Sequence, residues 1–452
     1  MLARLGTLLQ RLSSRVVPDP FVLALGLTVV VMLAGGIHLS RSGGEEAVMW
    51  TILTGWAQGF SSPGGLAFAL QMSLILVTGH ALALSPPVQR FIAVIARIPQ
   101  GTGSAAFLVA LVACGAAILH WGLGAIVGAF LAREVARNAS SRGLKLHYPL
   151  LGAAGYSGFA LWHGGFSGSA PLVTAGPGHF AADLIGVVPI SETLLSALNL
   201  VVMGGLFLLI PLLFFFLAPK GDAAIIPPDP SILENVGPTE RPRGSGLLWW
   251  IQESAWTGRL VGALGVGFVL TAISTDRMTF DLSSVILFFL FAGILFQGSL
   301  RGYVETVTDG ASGAGGIILQ FPFYFAILGV MQAGGLIELI SNALVNVSTT
   351  ATFPVFAFLS AGVVNFFVPS GGGQWAVQAD ILLAAGQALE VPAATTIMAF
   401  SYGDAWTNML QPFWSLPLLG IMGLKAKDII GYTALVFLLM LVLIPVALLL
   451  LG

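Results

Sequence analysis

Charge is the scarcest commodity in this chain. Of its 452 residues, 8% are Asp, Glu, Lys or Arg, while 56% are hydrophobic. A water-soluble domain carries about 25% charged residues, so most of this surface faces something other than water. There is one cysteine, Cys114, which excludes an internal disulfide framework and any cysteine-cluster metal site. The formal net charge is only −2, so no basic surface awaits a nucleic acid. Neither a GxxxxGK[ST] phosphate loop nor an HExxH zinc motif occurs, which removes P-loop ATP hydrolysis and that class of metallopeptidase. The acidic stretch SYGDA (401–405) lacks a second suitably placed aspartate for a membrane aspartic-protease dyad. The chain reads as no enzyme and as needing no cofactor.

What is abundant is apolar sequence. Phe21–Ile37, Leu194–Ala218, Leu260–Thr275, Val285–Gln297 and Ile429–Leu451 approach the roughly 20 residues that a helix needs to cross a bilayer. An all-α polytopic membrane protein follows, in contact with lipid along most of its length. The start, MLARLGTLLQRLSSRVVPDP, is a basic amphipathic lead with no small-residue cleavage site after the first span, and is expected to be retained.

Positive charges orient the spans, because Lys and Arg accumulate in cytoplasmic loops. With the N-terminus inside, the segment about 104–137 has Arg97 before it and Arg133, Arg137, Arg142 and Lys145 at its end. A hairpin that dips in from the cytoplasm keeps both sets inside. Segment 352–389 is flanked by loops without Lys or Arg, as suits a hairpin entering from outside. On this path only Arg41 and Arg277 of the 18 cationic residues lie outside, and the C-terminus ends outside.

The polar, Pro-rich stretch from Lys220 to Gly246 separates two halves. The expected organisation is an N-terminal half (1–219), a cytoplasmic linker (220–257) and a C-terminal half (258–452). Each half shows a span, a glycine-bearing hairpin, a broken span (about 148–176 and about 393–423) and a closing span. QMSLILVTGHALALSPP can be laid on QFPFYFAILGVMQAGG, ACGAAILHWGLGAIVGAFLARE on GVVNFFVPSGGGQWAVQADILL, and YSGFALWHGGFSGSAPL on SYGDAWTNMLQPFWSLPL, all at an offset near 245–249 residues. Since one hairpin enters from each side, the repeats are expected to be inverted. Inverted repeats with helices broken at mid-membrane are the sequence pointer to a secondary transporter's binding site.

Four stretches interrupt the helical pattern inside apolar segments: HWGLG (120–124), WHGGFSGSAP (162–171), PSGGGQW (369–375) and GDAWTNMLQP (403–412). Irregular backbone at membrane depth is tolerated only where protein or a water-filled cavity satisfies it. Helices that restart after a break aim N–H groups inward and favour an anion, while unwound carbonyls suit a cation. Glycine also serves plain close packing of membrane helices, and proline kinks them without any functional role. The candidate substrate ligands are His120, Trp121, Gly122 and Gly124 at the first tip; His163, Gly164, Gly165, Ser167 and Ser169 in the first break; Ser370, Gly371, Gly372, Gly373 and Gln374 at the second tip; and Trp406, Thr407 and Asn408 in the second break. Asp404 is an acid in an apolar span, costly unless paired or functional. With Ser370, Asn408 and Ser167 it is the candidate for a coupling ion, either H⁺ or Na⁺ at the tips. The hydroxyls and amides could equally bond helix backbone, the histidines could be satisfied packing residues, and some of the tryptophans could be core.

These same stretches resemble the bacterial short-chain fatty acid transporter family, within the ion transporter superfamily. The matching phrases include VPDPFVLALGLT, HWGLGAIVGAFLAREVAR, GGFSGSAPL, VNFFVPSGGGQWAVQ and SYGDAWTNMLQPFWSLPLLG, and they run from about residue 15 to 432. The resemblance implies uptake of short acyl carboxylates such as acetoacetate or butyrate across the bacterial inner membrane. It also implies a homodimer in which a scaffold domain holds a moving, elevator-type transport domain, expected from 104–176 plus 352–423. Superfamily members hold substrate and Na⁺ at the tips and often carry Ser-Asn-Thr there. Here the tips read HWGLG and PSGGG, and Asp404 equally fits H⁺ coupling. A dicarboxylate or another organic anion is the alternative substrate, and a passive anion channel the alternative mechanism.

Overall fold

In the computed structural model, the described residues are 20–41, 48–176, 179, 181–219, 221, 225–230, 245–278, 282–367, 369 and 371–452. The basic N-terminal lead, the core of the linker and Ser370 lie outside them. Among the described residues the regular structure is entirely helical. The N-terminal half contains α1 (Pro20–Arg41), α2 (Val48–Phe60), α3 (Pro63–Ala83), α4 (Pro86–Ile95), α5 (Thr102–Leu119), α6 (Trp121–Ser141), α7 (Tyr148–Ser157), α8 (Ser169–Thr174) and α9 (Ala197–Leu217). A 3₁₀ segment, Gly158–Gly164, continues α7. After the linker come α10 (Leu247–Glu253), α11 (Ala255–Ser274), α12 (Leu282–Gln297), α13 (Leu300–Ala311), α14 (Gly315–Ala333), α15 (Leu336–Val345), α16 (Phe353–Phe367), α17 (Gly371–Ala388), α18 (Ala393–Thr407), α19 (Leu416–Met422) and α20 (Ala426–Leu451).

Six of these helices are long and apolar enough to cross a membrane, seven if the bent pair α2–α3 counts as one span. They are exposed where lipid would lie, as Leu208, Leu212 and Phe216 on α9 and Val442, Val446 and Leu450 on α20 illustrate. The chain is thus a multi-pass membrane protein.

The helices fall into two packing groups. One gathers α1, α2, α3, α11, α12, α13 and α14; the other gathers both hairpins, both broken spans, α9 and α20. Without a hydrophobic drive between helices in lipid, small residues permit the close approach that holds such groups together. A Cβ on Gly55 would stand 2.9 Å from the Gly329 carbonyl of α14, and one on Gly155 would stand 3.0 Å from the backbone of Gly128 on α6. Where helices break, side chains from elsewhere pair the freed backbone groups, as the low-dielectric interior demands. Asn199 of α9 donates to the carbonyls of Gly164 (2.9 Å) and Leu194 (2.7 Å). The start of the linker is also pinned. Tyr148 N–H donates to the Ile226 carbonyl at 2.8 Å, and Ile226 N–H donates to His147 Nδ1 at 3.0 Å.

The element order repeats between the halves: a helical hairpin (α5–α6, α16–α17), an interrupted span (α7–α8, α18–α19) and a closing helix (α9, α20).

Candidate functional site

The first hairpin turns at a single residue. His120 takes extended backbone angles (φ −158°, ψ 131°), and its Nδ1 accepts the N–H of Gly122 at 3.1 Å, capping α6. Trp121 N–H donates to Ser167 Oγ at 3.0 Å, and Phe166 N–H donates to the Ile118 carbonyl at 2.8 Å, so this tip is bonded to the first break. Gly165 is small because a Cβ there would stand 2.5 Å from the Ile118 carbonyl. Gly124 sits inside the hairpin against Ala117, and Gly164 packs on Met203 and Asn199. The Trp121 ring faces Trp414 at 5.1 Å and Phe159 at 6.2 Å.

The second tip meets the same break from its other side. A Cβ on Gly371 would come within 2.5 Å of the Trp162 ring and 2.9 Å of His163 Cε1, while one on Gly372 would stand 3.7 Å from Ser169. The glycines let the start of α17 rest directly on two aromatic rings. Gln374, buried in the first turn of α17, donates to the Ala361 carbonyl (2.8 Å) and to Gln378 (3.0 Å). Gly373 is half-buried.

His163 and Asp404 join the two breaks. His163 Nδ1 and Asp404 Oδ2 are 2.7 Å apart, with the two side chains 0% and 1% exposed. The opposite ring nitrogen, Nε2, accepts the N–H of Ala170 at 3.2 Å. A nitrogen that accepts carries no proton, so the proton of the neutral ring is on Nδ1 and is donated to Asp404. Trp162 stacks on the His163 ring at 4.2 Å, and Phe400 closes another side at 5.8 Å.

Beside this pair lies a chain of buried amides. Asn365 Nδ2 is within 2.8–2.9 Å of the Asp404 carbonyl, Thr407 Oγ1 and Asn408 Oδ1. Gln411 Nε2 donates to Asn408 Oδ1 at 2.8 Å, Thr407 Oγ1 donates to the Gly362 carbonyl at 3.0 Å, and Tyr156 OH donates to the Asn408 carbonyl at 2.8 Å. Buried polar atoms are usually satisfied. Here Asp404 Oδ1, Asn365 Oδ1, Gln374 Oε1, Gln411 Oε1, Asn408 Nδ2, Trp162 Nε1 and Trp375 Nε1 have no hydrogen-bond partner among the described residues.

Of the residues singled out from the sequence, the structure brings together His163, Ser169, Gly371, Gly372, Asp404, Thr407 and Asn408. His120, Trp121, Gly122 and Ser167 form the other tip, on the opposite flank of the first break. Trp406 points away, stacking on Phe437 at 4.4 Å and donating from Nε1 to the Phe437 carbonyl at 3.0 Å. Ser370 lies outside the described residues. Asn365, Gln411 and Tyr156 were not anticipated. Asn365 and Gln411 had a signal, however, since each is an amide within a few residues of a break in apolar sequence. Among the described residues no cluster of three or more His, Cys, Asp and Glu is placed to hold a metal ion.

Comparison with known proteins identifies the family. The family model for short chain fatty acid transporters matches residues 1–451, and the chain belongs to that family. A protein of Escherichia coli K12 named "Putative short-chain fatty acid transporter" is 36% identical over 441 residues, covering 97% of each chain. A Haemophilus influenzae protein of the same name is 34% identical over 452 residues, again with 97% of each chain covered. The solved YdaH transporter of Alcanivorax borkumensis aligns over 95% of this chain and 98% of its own, at 15% identity and a TM-score of 0.44. The family and these relatives are transporters, not enzymes.

Proposed function

We propose that this protein is a secondary active transporter that takes up small monocarboxylates such as acetoacetate or butyrate together with a cation. The observation that carries the reading is the connected, buried polar group where the two breaks meet the second tip. Trp162 Nε1, Trp375 Nε1 and Asn408 Nδ2 are donors without partners among the described residues, and a carboxylate is the anion they suit. The aromatic wall of Trp121, Phe159, Trp162 and Trp414 offers apolar surface to a short acyl tail.

Electrostatics supports the cation. No Lys or Arg among the described residues pairs with Asp404, whose partner is the neutral ring of His163. A second carboxylate entering beside Asp404 meets like charge in a low-dielectric site, which disfavours having both ionised. Binding a cation with the substrate removes that repulsion.

The two packing groups support an elevator, in which the hairpins, the broken spans, α9 and α20 move as a unit against the remainder, with the tips acting as gates from opposite faces. The hairpins are re-entrant and the repeats inverted on this reading. The protein is a homodimer of the bacterial inner membrane, with its N-terminus in the cytoplasm and its C-terminus outside. Uptake of labelled acetoacetate by proteoliposomes under imposed H⁺ or Na⁺ gradients is the test. Accumulation above equilibrium is expected. Flux that only equilibrates would identify a channel, and no protein-dependent flux of any short-chain carboxylate would sink the proposal.

A further inference from the structure

We infer that the coupling cation is a proton and that Asp404 Oδ1 carries it, with His163 as the positioning residue. This rests on the transport reading above and deepens it.

The two oxygens of Asp404 are unequal. Oδ2 is held by His163 at 2.7 Å, whereas Oδ1 is buried with no hydrogen-bond partner among the described residues. A buried carboxylate oxygen without a partner is a place where a bound cation offsets the cost of burying the charge. His163 cannot take that proton in place of Asp404. Its Nε2 faces the N–H of Ala170 at 3.2 Å, and a proton there would set two donors against each other. The ring is therefore locked as a neutral Nδ1–H donor, fixing Oδ2 and leaving Oδ1 as the place where charge changes.

The surroundings of the pair admit a proton at Oδ1. Among the described residues no third His, Cys, Asp or Glu stands with Asp404 and His163, which leaves no transition-metal site there; the choice between a proton and Na⁺ falls to the experiment below. The rings of Trp162 and Phe400 cover two sides of His163, which raises the cost of an uncompensated charge on that flank of the pair. The titratable and charged groups on the elements packed against the pair are Cys114 on α5; Arg133, Glu134 and Arg137 on α6; Tyr148 and Tyr156 on α7; Asp380 on α17; Tyr402 on α18; and Lys427, Asp428 and Tyr432 on α20. Of these, Tyr156 bonds the Asn408 carbonyl and Tyr402 bonds Asn199 at 3.0 Å; neither bonds to Asp404 or His163.

The cycle balances simply. One proton binds Asp404 Oδ1 from the outer side, and the neutral acid tolerates one substrate carboxylate beside it. Both cross, the anion leaves, and the proton follows. One anion and one proton move together, so transport is electroneutral.

The test uses the full-length protein in proteoliposomes, with acetoacetate as the probe and protein-free vesicles subtracted. Two assays are compared in wild type and Asp404→Asn: exchange of labelled for unlabelled acetoacetate, which needs no net proton movement, and accumulation driven by a pH gradient. Wild-type exchange affinity should weaken as the pH rises, by up to about tenfold per pH unit, as one-proton linkage requires. Asp404→Asn, fixed in the neutral form, should lose accumulation, and the exchange it retains should no longer vary with pH. A purely structural role for Asp404 would reduce both assays together without flattening the pH profile. The proposal is overturned if Asp404→Asn accumulates acetoacetate as wild type does, if it keeps the wild-type pH profile, or if wild type accumulates only on a Na⁺ gradient. Should the variant fail to fold, wild type alone decides. An internal pH dye must then report one proton entering per acetoacetate, with a rate indifferent to membrane potential; a potential-driven rate contradicts the assignment. Absent exchange in wild type would instead strike at the transport reading itself.

Discussion

The two hairpin tips occupy matching places in the repeat, yet they are built differently. The first is closed by its own side chains. His120 caps α6, Ser167 takes the next N–H, and the arms α5 and α6 pack along one another. At the second, glycine brings the start of α17 onto Trp162 and His163, its arms touch each other sparingly, and α16 packs mainly on α18. The unpartnered buried polar atoms of the site follow the same divide. Around the meeting of the two breaks, Asn365, Gln374, Trp375, Asp404, Asn408 and Gln411 all lie on or after α16, with Trp162 from the first half; the other such atoms, Asn138 on α6 among them, lie away from that meeting. The repeat supplies a common frame; the first tip uses it for anchoring, and the second leaves polar groups available.

Three substitutions would break or sharpen that contrast. The largest effect is expected from Gly371→Val, because even a Cβ meets the Trp162 and His163 rings at 2.5 and 2.9 Å. Acetoacetate uptake should vanish while the protein still folds, as judged by its elution in detergent. Asn408→Ala comes next. It removes the acceptor of Asn365 and Gln411 and one unpartnered donor, which should weaken substrate affinity and lower stability by about 1–3 kcal/mol. Thermal unfolding with and without acetoacetate separates the two effects. Smallest is His120→Ala, which deletes a helix cap and should cost about 1 kcal/mol of stability with little change in substrate affinity. A large loss of affinity in that variant would give the His120 side chain a part in binding.

Much of this was legible in the sequence. Helix-breaking residues in apolar runs identify the interruptions at His120, at 164–168 and at 408–412, because lipid leaves so few places for irregular backbone. The pairing of His163 with Asp404 was not legible. They are 241 residues apart, and only the tertiary meeting of the two breaks joins them. The available hint was that each is the sole ionisable group in its break. Trp406 shows the opposite failure. Residue type suggested a site wall, but consecutive residues of a helix point about 100° apart, so Trp406 and Thr407 cannot both face Asn365. Thr407 does, and Trp406 turns to α20.

The central claim is that a short carboxylate binds where the second tip rests on the broken spans. Equilibrium binding of labelled acetoacetate to the purified protein tests it most directly, comparing wild type with Gly371→Val and His120→Ala. The account predicts saturable binding to wild type and His120→Ala and none to Gly371→Val. Undiminished binding to Gly371→Val, or its loss in His120→Ala alone, would contradict it.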